Sequence, residues 1–283
     1  MTPVLVTIGP LSIPSYGAML LLAFLVGGVS LALELRRRAL DPHLARGIVL
    51  LAVMFGLLGS KALALAGQLA GHAAPGLTAA WRDTMTWQGG LLAALAAIVV
   101  YVRAKGVSIG RVLDAGAPAL MLAYGIGRLG CHLAGDGDYG LPTDLPWGAR
   151  YNHGLVPPSQ AFAGLPELVA QFPGRVVPDT TLCHPTPVYE FLGGVLGWLV
   201  LRAVARRGLP DGQLFMVYLV LSGVARFAVE FLRLNPRVAL GLTEAQLLAV
   251  AMAMVGLVAL VLREWRSGAH PSVDRLGGTR CPM

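Results

Sequence analysis

Two arginines stand in stretches that are otherwise apolar: Arg128 within MLAYGIGRLGCHLAG and Arg226 within YLVLSGVARFAVEFLR. A guanidinium is charged at every accessible pH and costs roughly 2.5 to 17 kcal/mol at the centre of a bilayer, so it persists there only against a strong partner. A phosphate meets that need for both. The residues around each arginine support a site rather than an accident of composition. In GRLGCHLAGDGDYG, Arg128 is followed by a thiol (Cys131), an imidazole (His132) and two carboxylates (Asp136 and Asp138). Snorkelling is the plainer account of Arg128, but three polar side chains between it and the following loop favour a polar pocket.

Two further constellations carry charge. HPTPVYEF begins a helix at Pro187, which suits a first turn; Glu190 then falls about one turn into the apolar segment, where a carboxylate is protonated or faces a cation. A purely structural ion pair would satisfy it equally. In SGVARFAVEFLRLNP, Arg226, Glu230 and Arg233 recur at i, i+4 and i+7, the spacing of one helical stripe. Glu230 can neutralise one arginine and orient it, leaving positive charge for a lipid phosphate. Tyr16, near the start of the first apolar stretch, fits an interfacial aromatic belt, and Trp87, Gln88, Gly89 and Gly90 fit an ordinary helix start.

These groups need elements to hold them, and composition says which kind. Of 283 residues, 55% are hydrophobic and 13% charged, far more apolar side chain than one soluble core requires. The expected fold is an all-α polytopic membrane protein with about seven transmembrane helices, near 14–34, 46–67, 87–103, 112–133, 188–205, 213–232 and 239–262. Lys and Arg crowd alternate loops: Arg36, Arg37, Arg38 and Arg46; Arg103, Lys105 and Arg111; Arg202, Arg206 and Arg207; then Arg263, Arg266, Arg275 and Arg280. Positive loops stay on the cytoplasmic side, so the N-terminus is expected outside and the C-terminus inside. The net charge of +7 is this orientation signal, and no nucleic-acid partner is expected. The first charged side chain is Glu34, so no cleavable signal peptide is expected and the first span serves as an anchor.

One domain is expected over 1–262, with an extracytoplasmic insertion at 134–187 between helices 4 and 5 that acts as a lid or small head, and a disordered cytoplasmic tail at 263–283. Cys131, Cys183 and Cys281 have no zinc-type spacing. Cys131 and Cys183 share the outer side, where either a bridge or free thiols are possible. Small residues in GLLGS, in GGVLG and at Gly90 and Ala94 read as close helix packing. No nucleotide loop or metal-ligand cluster is visible, and no cofactor is expected.

Taken in order, the segments resemble the prolipoprotein diacylglyceryl transferase family of bacterial cytoplasmic membranes. IPSYGAML looks like its first-helix Tyr-Gly motif, GLLGSKAL its Gly-x-x-Gly-Ala-Arg segment, TMTWQGGL its Ser-Phe-His-Gly-Gly-Leu segment, and GRLGCHLAGD its signature Gly-Arg-Ile-Gly-Asn-Phe-x-Asn-Gly-Glu. YGLPTDLPWG, HPTPVYEF, GVARFAVEFLR and GLTEAQLL match later blocks. The resemblance implies transfer of a diacylglyceryl group from phosphatidylglycerol to the lipobox cysteine of a prolipoprotein signal peptide, with release of glycerol phosphate, in the bacterial inner membrane among its lipids. It implies that Arg128 and Arg226 bind the phosphate through charge-assisted hydrogen bonds. Tyr16 and Glu190 would line the lipid pocket or orient the arginines, and Glu230 and Arg233 would support Arg226. Gln88, Gly89, Gly90, Cys131, Asp136, Asp138 and Gly140 would complete the substrate site.

This chain departs from the motifs at three places. Gln88 stands where the family has histidine, Cys131 where it has asparagine, and the signature glutamate corresponds to Asp136 or Asp138. An amide cannot act as a base at neutral pH, so thiol activation is expected from His132 or His184, or from the positive potential of the arginines acting on the substrate thiol. A lipid-binding or transporting membrane protein without chemistry, and a related transferase with another acceptor, are the alternatives.

Overall fold

Transmembrane helices form where the chain is apolar enough to leave water and must satisfy its own backbone hydrogen bonds. The computed structural model describes residues 1–70 and 86–268. Among them, seven helices are long and apolar enough to cross a membrane. They are α1 (Ser15–Arg37), α2 (Leu44–Ala70), α3 (Trp87–Ala104), α4 (Ile109–Ala134), α5 (Thr186–Ala205), α6 (Gln213–Glu230) and α7 (Glu244–Gly268). The all-α, multi-pass class expected from composition is the class observed.

Helix α4 is the centre of the bundle. Half of its apolar window is buried, against 22% or less in each of the others, and it packs on α1 along one side and on α5 and α6 along another. Beyond α4, α2 packs closely on α3 and α6 on α7, with lighter contacts between α5 and α6 and between α1 and α2. Glycines set these distances, because lipid offers no water to expel and association depends on close approach. A Cβ on Gly27 of α1 would meet Ala123 of α4 at 3.0 Å; one on Gly194 of α5 would meet the Met121 carbonyl at 2.9 Å; one on Gly223 of α6 would meet the Ala249 carbonyl at 2.5 Å.

Three two-stranded antiparallel sheets decorate one end of this bundle. Strands β1 (Val4–Ile8) and β2 (Leu11–Pro14) precede α1, β3 (Ala149–Arg150) pairs with β4 (Leu182–Cys183), and β5 (Arg237–Ala239) pairs with β6 (Leu242–Thr243). The last corrects the expected start of the seventh helix at 239: Leu240 and Gly241 have positive φ (52° and 73°), which no helix tolerates, so Val238 lies in a strand and Leu240 in the turn after it, although both are apolar. The helix starts at Glu244 behind a reciprocal cap. Thr243 Oγ1 accepts from the Gln246 amide at 3.2 Å while Gln246 Oε1 accepts from the Thr243 amide at 3.1 Å. At its other end α7 continues to Gly268, past the expected boundary at 262, and the rest of the expected tail lies outside the described residues.

The insertion between α4 and α5 has its own core. Tyr139, Tyr151, Phe162, Val177 and Cys183 are buried together, with the Tyr139 and Tyr151 rings stacked 4.0 Å apart. Its ends are tied to the bundle through the backbone. Gly140 donates to the His184 carbonyl at 2.9 Å, Leu141 donates to the Leu232 carbonyl at 2.8 Å, and Thr186 Oγ1 donates to the Asp138 carbonyl at 2.9 Å. A Cβ on Gly140 would collide with the Leu232 carbonyl, so glycine is required where the loop crosses the end of α6. That crossing carries Asp138 to the arginines. Cys131 and Cys183 are both free thiols, which decides against the bridge.

Candidate active site

Arg128, Glu190 and Arg226 come from α4, α5 and α6, and each lies one to two turns inside its helix. At 1.5 Å per residue, that places them about 6 to 9 Å below the helix ends. They converge on the Glu190 carboxylate. Its Oε1 accepts from Arg226 Nη1 at 3.0 Å and from the Tyr124 hydroxyl, while Oε2 faces Arg128 Nε at 3.5 Å and Arg233 Nη1 at 3.4 Å. Asp138 forms a second bridge: its carboxylate takes Arg128 Nη1 on one oxygen and Arg233 Nη2 at 2.6 Å on the other. Glu230, fully buried, pairs with Arg226 at 2.7 Å and with Arg233 at 3.4 Å. Its other oxygen is held by Thr243 Oγ1 at 2.9 Å and Asn235 Nδ2 at 2.5 Å.

Three guanidiniums therefore share three carboxylates. Helical spacing alone has Glu230 neutralise one arginine and leave the others free; the returning loop adds Asp138, and the resting network is formally balanced. Balance is what a low-dielectric site requires before its ligand arrives. The arginines are not equivalent, however. The side chains of Arg128 and Arg226 are 20% and 23% exposed, whereas Arg233 is 7% exposed. An anion approaching the cluster can reach the first two and not the third. Arg233 also lies past the end of α6, in the turn closed by its amide to the Glu230 carbonyl at 3.1 Å, so the expected stripe bends out of the helix before its third member. Arg233 and Glu230 back onto a cavity of about 400 Å³ under Leu141, Leu165 and Leu168, which Arg128, Arg226 and Glu190 do not line.

The remaining residues fall into two groups. Tyr16 packs on α4 at Gly130, where a Cβ would meet its ring at 3.4 Å, and it lies within electrostatic reach of Cys131, Asp136 and Arg128. Sulfur and carboxylate oxygens of Cys131, Asp136 and Asp138 lie within 4.8 Å of one another. They do not make a free metal-binding set, because both Asp138 oxygens already hold guanidiniums. Burial raises the Asp138 carboxyl, but Arg233 and then Arg128 outweigh it and hold the group below its ordinary range. Asp136 makes no ion pair among the described residues, and burial lifts its carboxyl above that range.

The two expected histidines face elsewhere. His132 Nδ1 is 3.0 Å from the Tyr151 hydroxyl in the head, and His184 Nδ1 is 3.3 Å from the Tyr189 hydroxyl, which accepts from Trp147 Nε1 at 2.9 Å. Gln88 is exposed at the start of α3, a helix that packs chiefly on α2. Gly89 and Gly90 are buried against Gly59, Ser60 and Gly56 of α2, a close helix contact. Sequence reasoning missed Tyr124, whose ring lies 5.1 Å from the Arg128 guanidinium and whose hydroxyl reaches Glu190. Its i, i+4 spacing to Arg128 was the available signal.

The model of one family, described as prolipoprotein diacylglyceryl transferase, matches residues 3–262. The chain belongs to this family. Three proteins named phosphatidylglycerol–prolipoprotein diacylglyceryl transferase illustrate the likeness. The one from Geobacter sulfurreducens is 32% identical over 271 residues, 92% of this chain and 94% of that protein. The one from Methylococcus capsulatus is 30% identical over 281 residues, covering 94% and 97%. The one from Clostridium tetani is 27% identical over 238 residues, covering 84% and 87%.

Within the prolipoprotein diacylglyceryl transferase family, the motif segments of this chain now have places in space. The signature around Arg128, the Glu190 segment and the Arg226 segment meet at one cluster, although 98 residues separate Arg128 from Arg226. The GLTEAQLL block supplies Thr243 and Gln246, which cap α7, and Thr243 also holds Glu230. Of the departures from the family motifs, Cys131 borders the cluster and Gln88 stands on a helix that packs away from it.

Proposed function

We propose that this chain transfers a diacylglyceryl group from phosphatidylglycerol to the lipobox cysteine of a prolipoprotein and releases glycerol phosphate. The observation that carries this reading is the convergence of Arg128 and Arg226 on Glu190, with both guanidiniums reachable from outside. A lipid phosphate that displaces Glu190 from them inherits two charged donors inside a low-dielectric setting, where such bonds are strongest. The acceptor thiolate attacks the glycerol carbon that bears the phosphate ester. The carbon–oxygen bond breaks, its electron pair stays on the phosphate oxygen, and the extra charge develops against Arg128 and Arg226. Tyr16, on the neighbouring helix, flanks the approach. Lys and Arg are concentrated in the loops at the opposite end of the bundle; this supports insertion in the cytoplasmic membrane with the arginine cluster on the extracytoplasmic side.

The test is purified protein with phosphatidylglycerol and a lipobox peptide. Glycerol phosphate and diacylglyceryl peptide should appear in equal amounts. Arg128→Ala and Arg226→Ala should each lower turnover by roughly 100-fold or more, the usual scale for removing a group that stabilises developing negative charge. Protein that binds phosphatidylglycerol yet releases no glycerol phosphate would favour a lipid-binding protein without chemistry.

A further inference from the structure

Alkyl transfer to a thiol needs a group that takes the thiol proton, and the identity of that group rests on the transfer reaction being the one this chain performs. Of the carboxylates at this end of the bundle, Asp138, Glu190 and Glu230 each hold two or three guanidiniums. A carboxylate so engaged is a weak proton acceptor. Asp136 makes no ion pair among the described residues. Its location follows from the helix end beside it. Gly135, at φ 60°, closes α4 through its amide to the Cys131 carbonyl at 2.9 Å, so the chain reverses and residue 136 sits back over the last turn. Asp136 Oδ1 then accepts from the Asp138 amide at 3.2 Å, which fixes its carboxylate.

From there the carboxylate is within 4.8 Å of the Cys131 sulfur and of an oxygen of Asp138, and Asp138 in turn touches Arg128. It is one residue removed from a guanidinium that would grip the phosphate, and the space beside it already accommodates a sulfur atom. We propose that Asp136 is the general base of the transfer: it takes the proton of the acceptor thiol, the sulfur electron pair forms the bond to the glycerol carbon, and the departing oxygen keeps the electrons of the broken bond as a phosphomonoester. The proton leaves Asp136 to water or to that phosphate. The groups facing Asp136 are Cys131 and Arg128 from α4, Tyr16 from α1, Tyr151 from the head and Asp138 beside it. Burial raises its affinity for a proton and, with Asp138, outweighs the Cys131 thiol and Arg128, which lower it; this suits a base that must compete for a thiol proton near neutral pH.

Asp136→Asn tests this with two acceptor peptides, one carrying cysteine and one selenocysteine, whose selenol is ionised at neutral pH without help. With cysteine, turnover at pH 7 should fall about 100-fold, the lower range for loss of a general base, while the KM for phosphatidylglycerol stays within about 2-fold. With selenocysteine the loss should shrink to a few-fold. The variant should also recover on cysteine peptide as pH passes about 8.5, where the free thiol ionises on its own. Asp136→Glu should retain at least a tenth of the activity and rules out a folding defect as the cause. Unchanged turnover in Asp136→Asn, or equal losses on both acceptors, overturns the assignment. Wild-type protein inactive on both acceptors overturns the transfer reaction first and removes the base with it.

Discussion

The two ends of the bundle both bury a carboxylate beside arginine, and they do it differently. At the end away from the head, Asp114 of α4 is fully buried and accepts from the Gly212 amide at 2.8 Å and the Phe215 amide at 2.9 Å, with Arg38 at 3.4 Å. Two of its three partners are backbone groups at the start of α6, where free amides otherwise lack acceptors. At the head end, Glu190 is bound by side chains only, three guanidiniums and a phenol. Backbone partners cannot leave without unfolding the helix start; side-chain partners can exchange one anion for another. The first arrangement fastens α1, α4 and α6, and the second is built to be opened.

Substituting each acid separates these roles. Asp114→Asn keeps the size but turns a donor toward backbone donors, and should cost about 3 kcal/mol or more of stability, the scale for breaking a buried charged pair. Thermal unfolding in detergent should show a clear drop, with poor accumulation in membranes. Glu190→Gln should accumulate normally and lose most turnover, because the two arginines are no longer held together. Comparable losses of stability in both variants would mean that the two ends do the same work.

Tyr124→Phe sharpens the comparison within the head-end cluster. The ring stays over Arg128 and only the hydroxyl bond to Glu190 is lost. Turnover should fall about 10-fold, since a hydrogen bond to a charged group contributes about 1.5 kcal/mol. In a Glu190→Gln background the same substitution should have little further effect, because residues acting through one shared partner are not additive. Equal losses in both backgrounds would place Tyr124 outside this unit.

Much of this was legible in the chain because hydropathy and helical spacing are local. The number of spans, the Arg226–Glu230 pair and the need of Arg128 for a polar partner all follow from residues within a turn or two of one another. What was not legible depends on chain reversals. Asp138 reaches Arg233 only because the loop after Gly140 crosses the end of α6, and Thr243 reaches Glu230 only because β5 and β6 fold back before α7. His132 shares the i, i+4 relation to Arg128 that Tyr124 has, yet it turns to Tyr151, because the last turn of α4 meets the head, where the Leu155 amide donates to the Ala134 carbonyl at 2.9 Å. Spacing carried the same signal for both residues, and the tertiary neighbour decided between them.

The smallest effect belongs to Arg202, which pairs with Glu34 at the end of the bundle away from the head. Its Nε is 3.7 Å from Glu34, it is 29% exposed, and its guanidinium lies 4.9 Å from the Trp198 ring. Glu34 keeps a closer partner in Arg37 at 2.7 Å, so removing Arg202 strands no buried charge. Arg202→Ala should therefore change stability by about 1 kcal/mol or less, as partly exposed pairs do, and leave turnover of the lipobox peptide unchanged. Thermal unfolding alongside Asp114→Asn checks this. If Arg202→Ala cost as much as Asp114→Asn, side-chain pairs rather than backbone capping would be fastening that end, and the contrast between a fixed and an exchangeable cluster would be lost.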